Sequence, residues 1–234
     1  HVRMYIASIA CNIAQSYWKM PARWMYYHLL DADWASNALS WQWVAGANAN
    51  KKYVANQENI NKYCFTNQKD TFLDVPYETL PLIEIPETLK ETEQLELKTL
   101  LPAKKEIVID EKRPTCIYNF YNLDPVWRKD ISANRILLLE PSHFKEYPIS
   151  QKTIDFIMEI ASENIYNIQI FVGEFQELIK TYNLGAVYYK EHPLNKHYEG
   201  IEEPRDWMFE VKGYYPSFFA FWKKCKKELV IFNK

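Results

Sequence analysis

Glycine is scarce in this chain: five residues in 234, and none of them in a GxGxxG arrangement. That excludes a glycine-rich phosphate loop, the usual device for cradling nucleotide phosphates. Cysteine is equally thin. Cys11, Cys64, Cys116 and Cys225 stand far apart, with no CxxC pair and no histidine at zinc-finger spacing. This excludes a zinc ribbon or a disulfide scaffold and fits reduced, packed thiols in a cytoplasmic protein. Cys64 in NKYC has no companions to complete the four thiolates that an iron–sulfur cluster needs. No apolar run approaches the ~20 residues of a membrane span, and no signal peptide is visible. Charge of one sign is lacking too. The net charge is −2, so no global basic field announces nucleic acid, although a local groove can still be positive.

Apolar residues make up 48% and charged residues 25%, an ordinary globular balance, and the length suffices for one large or two modest domains. Aromatic content is high at 16%, with eight Trp and seventeen Tyr. A ring-rich core accounts for most of them; Trp beside polar residues also suits a planar aromatic ligand.

Residues 1–19 have a helical pattern, with Met4, Ile6, Ile9, Ile13 and Trp18 among small residues such as Ala7, Ser8, Ala10 and Ala14. Those small residues let another helix or a flat ligand come close. Pro21 suits an early position of the next helix. That helix is expected to run from Trp24 to Ser40, where there is no proline or glycine. It carries Asp31 and Asp33 among Leu29, Leu30, Trp34, Trp41 and Trp43. Carboxylates in such company face solvent or hold a polar partner. On one helix, Asp33 and Asn37 share a face at i, i+4, extended by Ser40 and Trp41. Asp31 would lie about 200° away from Asp33, so the two carboxylates cannot point together. One could pair with Arg3 of the preceding helix, charged and buried, while the other meets a ligand. A structural salt bridge between two helices explains the same spacing.

From Gly46 to Asp74 the text is dense in Asn, Gln and Lys and is expected as loop with short helical turns, either plain surface or a groove lined by amides. Residues 81–114, rich in proline, are expected as a linker with a short helix near Glu87–Leu100. The remainder alternates. Strands are expected at Cys116–Tyr121, Arg135–Glu140, Ile168–Val172 and Ala186–Tyr189. Between them a helix capped by Ser150 runs through Glu163, and a second has Phe175, Leu178, Ile179 and Tyr182 on one face. Such alternation implies a small Rossmann-like parallel α/β domain over 115–234. The rings of GYYPSFFAFW are expected as core or domain contact on a C-terminal helix, and the lysines of KKCKKE as its solvated face. His192 and His197, near Glu191 and Asp206, lack i, i+4 ligand spacing, and Pro193 sets them in a loop; no metal is expected.

HVRM, then Trp18, then LLDADWASN followed by WQWVAGA together resemble the flavin-binding helical domain of the photolyase/cryptochrome family. The resemblance covers roughly residues 1–50 and fades beyond Ala49, where KKYVANQENINKY stands in place of the family's Tyr-Phe-Arg-containing segment. It implies an α plus α/β architecture: an incomplete FAD-binding helical segment over 1–80, the linker over 81–114, then the α/β domain. It implies FAD as cofactor, with Arg3 pairing with Asp31 beside the isoalloxazine, Asp33 hydrogen-bonded to the ring system and Asn37 facing N5. It makes Trp41 and Trp18 the inner members of a photoreducing tryptophan chain, and Met4 and Trp43 contacts of a flipped-out pyrimidine dimer. The implied activity is light-driven, FAD-dependent dimer cleavage in damaged DNA by a carbon–carbon lyase. A cryptochrome-type blue-light photoreceptor using the same flavin is the alternative. The family's adenine- and phosphate-cradling segments and its outermost tryptophan belong upstream of the matching region. The sequence, beginning at His1, is therefore expected to be a portion of a longer protein that alone binds flavin poorly and is inactive.

Overall fold

A computed structural model describes residues 1–31, 33–48 and 51–229. Ala32, inside the LLDADWASN motif, and Ala49, where the resemblance fades, lie outside them. Contacts divide the chain into two units. One holds residues 1–104, 139–163 and 172–174; the other holds 105–138, 164–171 and 175–234.

The first unit begins with α1 (Val2–Ser8), which runs directly into a π-helical turn at Ile9–Ile13. The wider turn turns Asn12 towards its neighbours: its Nδ2 donates to the carbonyls of Val44 and Tyr53 at 2.9 and 2.6 Å. Next come α2 (Lys19–His28) and α3 (Trp34–Val44). Pro21 sits in the first turn of α2, where a missing N–H costs nothing.

The single helix expected over Trp24–Ser40 is two. Leu29 turns extended after α2, and Asp33, also extended, caps α3 by accepting a 2.7 Å hydrogen bond from the Ser36 backbone N–H. The reason is chemical: a short carboxylate satisfies an orphan N–H at a helix start better than it sits in a helix interior. Asp31 therefore lies on the connector, and the angular separation expected of the two aspartates on one helix does not apply.

The other end of α3 is set by WQWVAGA. Gly46 takes φ +74°, Gly46 N–H donates to Trp43 O at 3.1 Å, and Ala47 N–H to Gln42 O at 2.9 Å, a Schellman closure. Ala7, Cys11, Ala22, Met25, Trp41 and Val44 bury one another as the shared core of α1, α2 and α3.

The amide-rich segment folds on itself. It forms α4 (Gln57–Cys64), an 8-residue helix longer than the expected turns and capped by Asn56. Asn61 accepts from Gln57, Thr66 and the Gln68 N–H, while Thr71 donates to Gln57. The amides of Gln57 and Asn61 thus satisfy neighbours in the same segment. The helix expected near Glu87–Leu100 is one 3₁₀ turn, Glu87–Leu89, in a proline-rich stretch.

The second unit is built on a five-stranded sheet of order β3-β2-β1-β4-β5, with β1 Thr115–Tyr118, β2 Asn134–Leu139, β3 Ile168–Val172, β4 Val187–Lys190 and β5 Ile201–Glu203. β1 pairs parallel with β2 (Cys116 opposite Arg135) and with β4 (Cys116 opposite Tyr188), and β4 pairs parallel with β5. Helices α5 (Pro141–Glu146) and α6 (Gln151–Asn164) follow β2 along the chain but fall, except for Asn164, in the first unit, whereas α7 (Phe175–Thr181) and α8 (Phe218–Cys225) fall in the second. The Rossmann-like parallel reading therefore holds. Ser150 caps α6 by accepting from Thr153 N–H at 3.3 Å.

Two elements went unread: α5, which starts on Pro141, and β5, only three residues long. Strand β1 is shorter than expected. Asn119 ends it by accepting from Tyr121 N–H at 2.8 Å, a local turn that competes with the ladder. Ile117, Ile136, Leu138, Phe171, Phe175 and Leu178 form the core on one sheet face. The C-terminal aromatic run departs from expectation. Phe218 and Phe219 on α8 are 65% and 78% exposed, so these two rings are not core. No helix among the described residues is long and apolar enough to cross a membrane.

Candidate functional site

α1 and α3 face each other across a hollow of about 430 Å³, within the size range of small-molecule sites, roughly 300–1,000 Å³. Helical spacing explains which side chains reach it. From α1 come Arg3, Met4 and Ala7; from α3 come Ser36, Asn37, Ser40, Trp41 and Val44, two neighbouring rows on one helix face. Met25 and Leu29 close the bottom from α2, and Asp31 and Asp33 stand on the α2–α3 connector and the α3 cap.

The floor is apolar. Ala7, Met25, Trp41 and Val44 are all buried. The rim is polar and ordered. One Arg3 nitrogen, Nη2, reaches both Asp31 oxygens at 2.8 and 3.0 Å. The pair is not buried as expected: the side chains are 55% and 69% exposed. An ion pair so exposed is worth about 0–1 kcal/mol, so stability alone gives it little reason to exist. Asp33 spends one oxygen on the α3 cap, beside the positive end of that helix's dipole. Asn37 donates through Nδ2 to Ala22 O of α2 at 2.9 Å, which leaves its carbonyl oxygen as the acceptor for the hollow. Burial pushes the Cys11 thiol, in the core beneath, up to about 11. It is therefore neutral at ordinary pH.

Of the residues singled out in the sequence, Arg3, Met4, Asp31, Asp33, Asn37 and Trp41 come together around this hollow. Two do not line it. Trp18 packs, partly buried, against the same core as Trp41. Trp43 lies half-exposed with its ring 5.4 Å from that of Tyr53. Met25, Leu29, Ser36 and Val44 were missed. Continuing the same face to i+7 from Asn37 and i+4 from Ser40 would have found Val44. Met25 and Leu29 could be recovered only once the break in the helix was known.

An apolar floor that includes the small Ala7 and a rim offering one cation, one free amide carbonyl and two carboxylates suit a flat ring with a polar edge. They fit an isoalloxazine. They do not supply a phosphate cradle: Arg3 is the sole lysine or arginine among the lining residues.

Residues 1–72 match the family model described as the FAD binding domain of DNA photolyase, and FAD is the cofactor that this model indicates. The resemblance read from HVRM, LLDADWASN and WQWVAGA is thus found again over the segment that forms the hollow. A deoxyribodipyrimidine photo-lyase of Agrobacterium fabrum is 46% identical over 48 residues, which are 20% of this chain and 10% of that protein. The chain therefore spans about a tenth of the length of the curated relative it matches. No solved structure matches.

Proposed function

We propose that the hollow between α1 and α3 holds the isoalloxazine ring of FAD, and that the protein cleaves pyrimidine dimers in damaged DNA as a light-driven lyase of the photolyase type. One observation carries this reading: Arg3, Asp31, Asp33 and Asn37 ring a single hollow floored by Trp41, inside the segment that matches a photolyase FAD-binding domain. When bound, reduced and excited by light, FAD would lend the dimer an electron and take it back once the dimer has split, so that the splitting is redox-neutral overall.

The residues of this chain do the holding. Arg3, already anchored on Asp31, directs its positive charge at the ring's electron-rich edge without reorganising. Asn37, locked by Ala22, accepts from a ring N–H. Asp33 keeps one carboxylate oxygen for the ring system after capping α3. Trp41 and Trp18, in one packed core, form the inner part of an electron path. Met4 at the rim and Trp43 outside it meet the extruded bases. Extrusion costs a few kcal/mol, least for a damaged pair, which favours lesions.

The test is repair itself. The full-length protein loaded with reduced FAD is mixed with dimer-bearing DNA under blue light, and restoration of intact pyrimidines is expected. No restoration under light, with flavin bound, overturns the lyase reading.

A cryptochrome-type photoreceptor using the same flavin is the second reading. The inward-turned amides of Gln57 and Asn61 favour it, because they are not turned to a groove. Binding to damaged over intact DNA with a steep salt dependence would decide for repair; its absence, with the flavin photoreducing, decides for signalling.

A further inference from the structure

The second unit has two hollows at the amino-terminal edge of its sheet. Parallel α/β sheets ordinarily bind ligands beyond the carboxyl ends of the strands, where the order reverses. Here that point lies between β1 and β4, and the buried Asn119–Asn195 pair, joined at 2.9 Å, stands there. At the opposite edge, the two hollows, of about 350 and 510 Å³, share Arg113, Ala133, Arg135 and Asn167 as walls.

Arg135 is the notable group. It is the second residue of β2, is 6% exposed, and lines both hollows. Its Nη2 donates to the carbonyls of Arg128 and Ile131 at 2.6 and 3.1 Å, whereas Nη1 has only a long 3.4 Å contact with Ala133 O. The partners of this buried guanidinium, three carbonyls and the Tyr118 side chain, are neutral groups. Arg113 and Lys129 add two exposed cations to the smaller hollow. Of its three cations, Arg113 is already paired with Asp110 of the larger hollow at 2.8 Å, and its one acid is Asp130, so Lys129 and Arg135 tip the balance positive. The position of Arg113 is built in. A Cβ on Gly185 would come within 2.4 Å of Arg113 O, so only glycine lets the two segments lie this close.

We propose that this edge binds a small organic phosphate, with its terminal phosphate group between Arg135, Arg113 and Lys129. Charge favours a monoester over a phosphodiester chain, because a terminal phosphate carries nearly two negative charges to the wall of Arg135, Arg113 and Lys129. Both hollows are larger than a bare phosphate needs, and Tyr166 on the wall offers a flat surface to the organic part.

The test is calorimetric titration of the whole chain with inorganic phosphate, adenosine 5′-monophosphate, adenosine and an oligonucleotide lacking terminal phosphates, with backbone NMR shifts as the locator. Saturable binding of phosphate and the monophosphate is expected, with shifts at Ser132, Arg135 and Asn167, and none with adenosine. R113Q and K129Q, both at exposed positions, are each expected to weaken binding about tenfold, the value of one charge-assisted hydrogen bond. D130N is expected to tighten it. The proposal is overturned by absence of saturable binding, by shifts located elsewhere, by unchanged affinity in the R113Q/K129Q double variant, or by equal binding of the unphosphorylated oligonucleotide.

Discussion

Asn37 and Ala22 are tied together by a 2.9 Å hydrogen bond from the Asn37 amide to the Ala22 carbonyl, which joins α3 to α2 and fixes the amide's direction. Asn37→Asp removes the donor and faces a carboxylate with a carbonyl. It is expected to destabilise the first unit by about 1–3 kcal/mol, read as a lowered denaturant midpoint. Asn37→Ser is expected to fold better than Asn37→Asp, because a hydroxyl adds no charge against Ala22 O.

Asp33 caps α3 and is proposed to contact the flavin as well, and its two variants should part these roles. Asp33→Ala removes the α3 cap and is expected to cost roughly 0.5–2 kcal/mol. Asp33→Asn keeps a capping oxygen and loses only the charge. Its stability is expected within a few tenths of a kcal/mol of the parent, while flavin affinity falls as it does in Asp33→Ala. Urea denaturation beside flavin titration gives both readings.

The Arg3–Asp31 pair makes the opposite contrast. Because both side chains are more than half exposed, Arg3→Gln is expected to change stability by no more than about 1 kcal/mol. Flavin binding is expected to suffer far more. A stability loss as large as the affinity loss would mark the pair as structural.

Acid sensitivity in the second unit should centre on Glu203. The Arg128 guanidinium hydrogen-bonded to it, with Trp127 Nε1 donating at 2.7 Å, holds its carboxyl below the usual range against the opposing effect of burial. A depressed folded-state pKa stabilises the protein above the unfolded value, and that contribution is lost as pH falls through the folded one. Glu203→Gln is expected to flatten the acid limb of a stability–pH profile and leave its neutral-to-alkaline shape unchanged.

Much of this was legible in the sequence, for reasons that differ by element. The parallel sheet was readable because Arg135–Glu140 and Ile168–Val172 are apolar runs separated by a helix with i, i+3, i+4, i+7 spacing. β5 was not, since three residues carry no period. The site's polar residues were visible because Asp, Asn and Arg are conspicuous among indoles. The break between α2 and α3 was hidden because helix propensity weighs residue types in a window and does not register a cap. Asp33 as an N-cap decided the geometry, and with it the place of Asp31. The exposure of Phe218 and Phe219 was beyond reach, because aromatic residues in a run look the same whether covered or bare.

The central claim is that the α1–α3 hollow holds the flavin ring, and an NMR titration of the isotope-labelled protein with FAD tests it most directly. The account predicts saturable shifts concentrated on Arg3, Ser36, the Asn37 side-chain amide and Ser40, lost in Arg3→Gln. Saturable FAD binding that leaves those signals in place, or shifts them equally in Arg3→Gln, would contradict it.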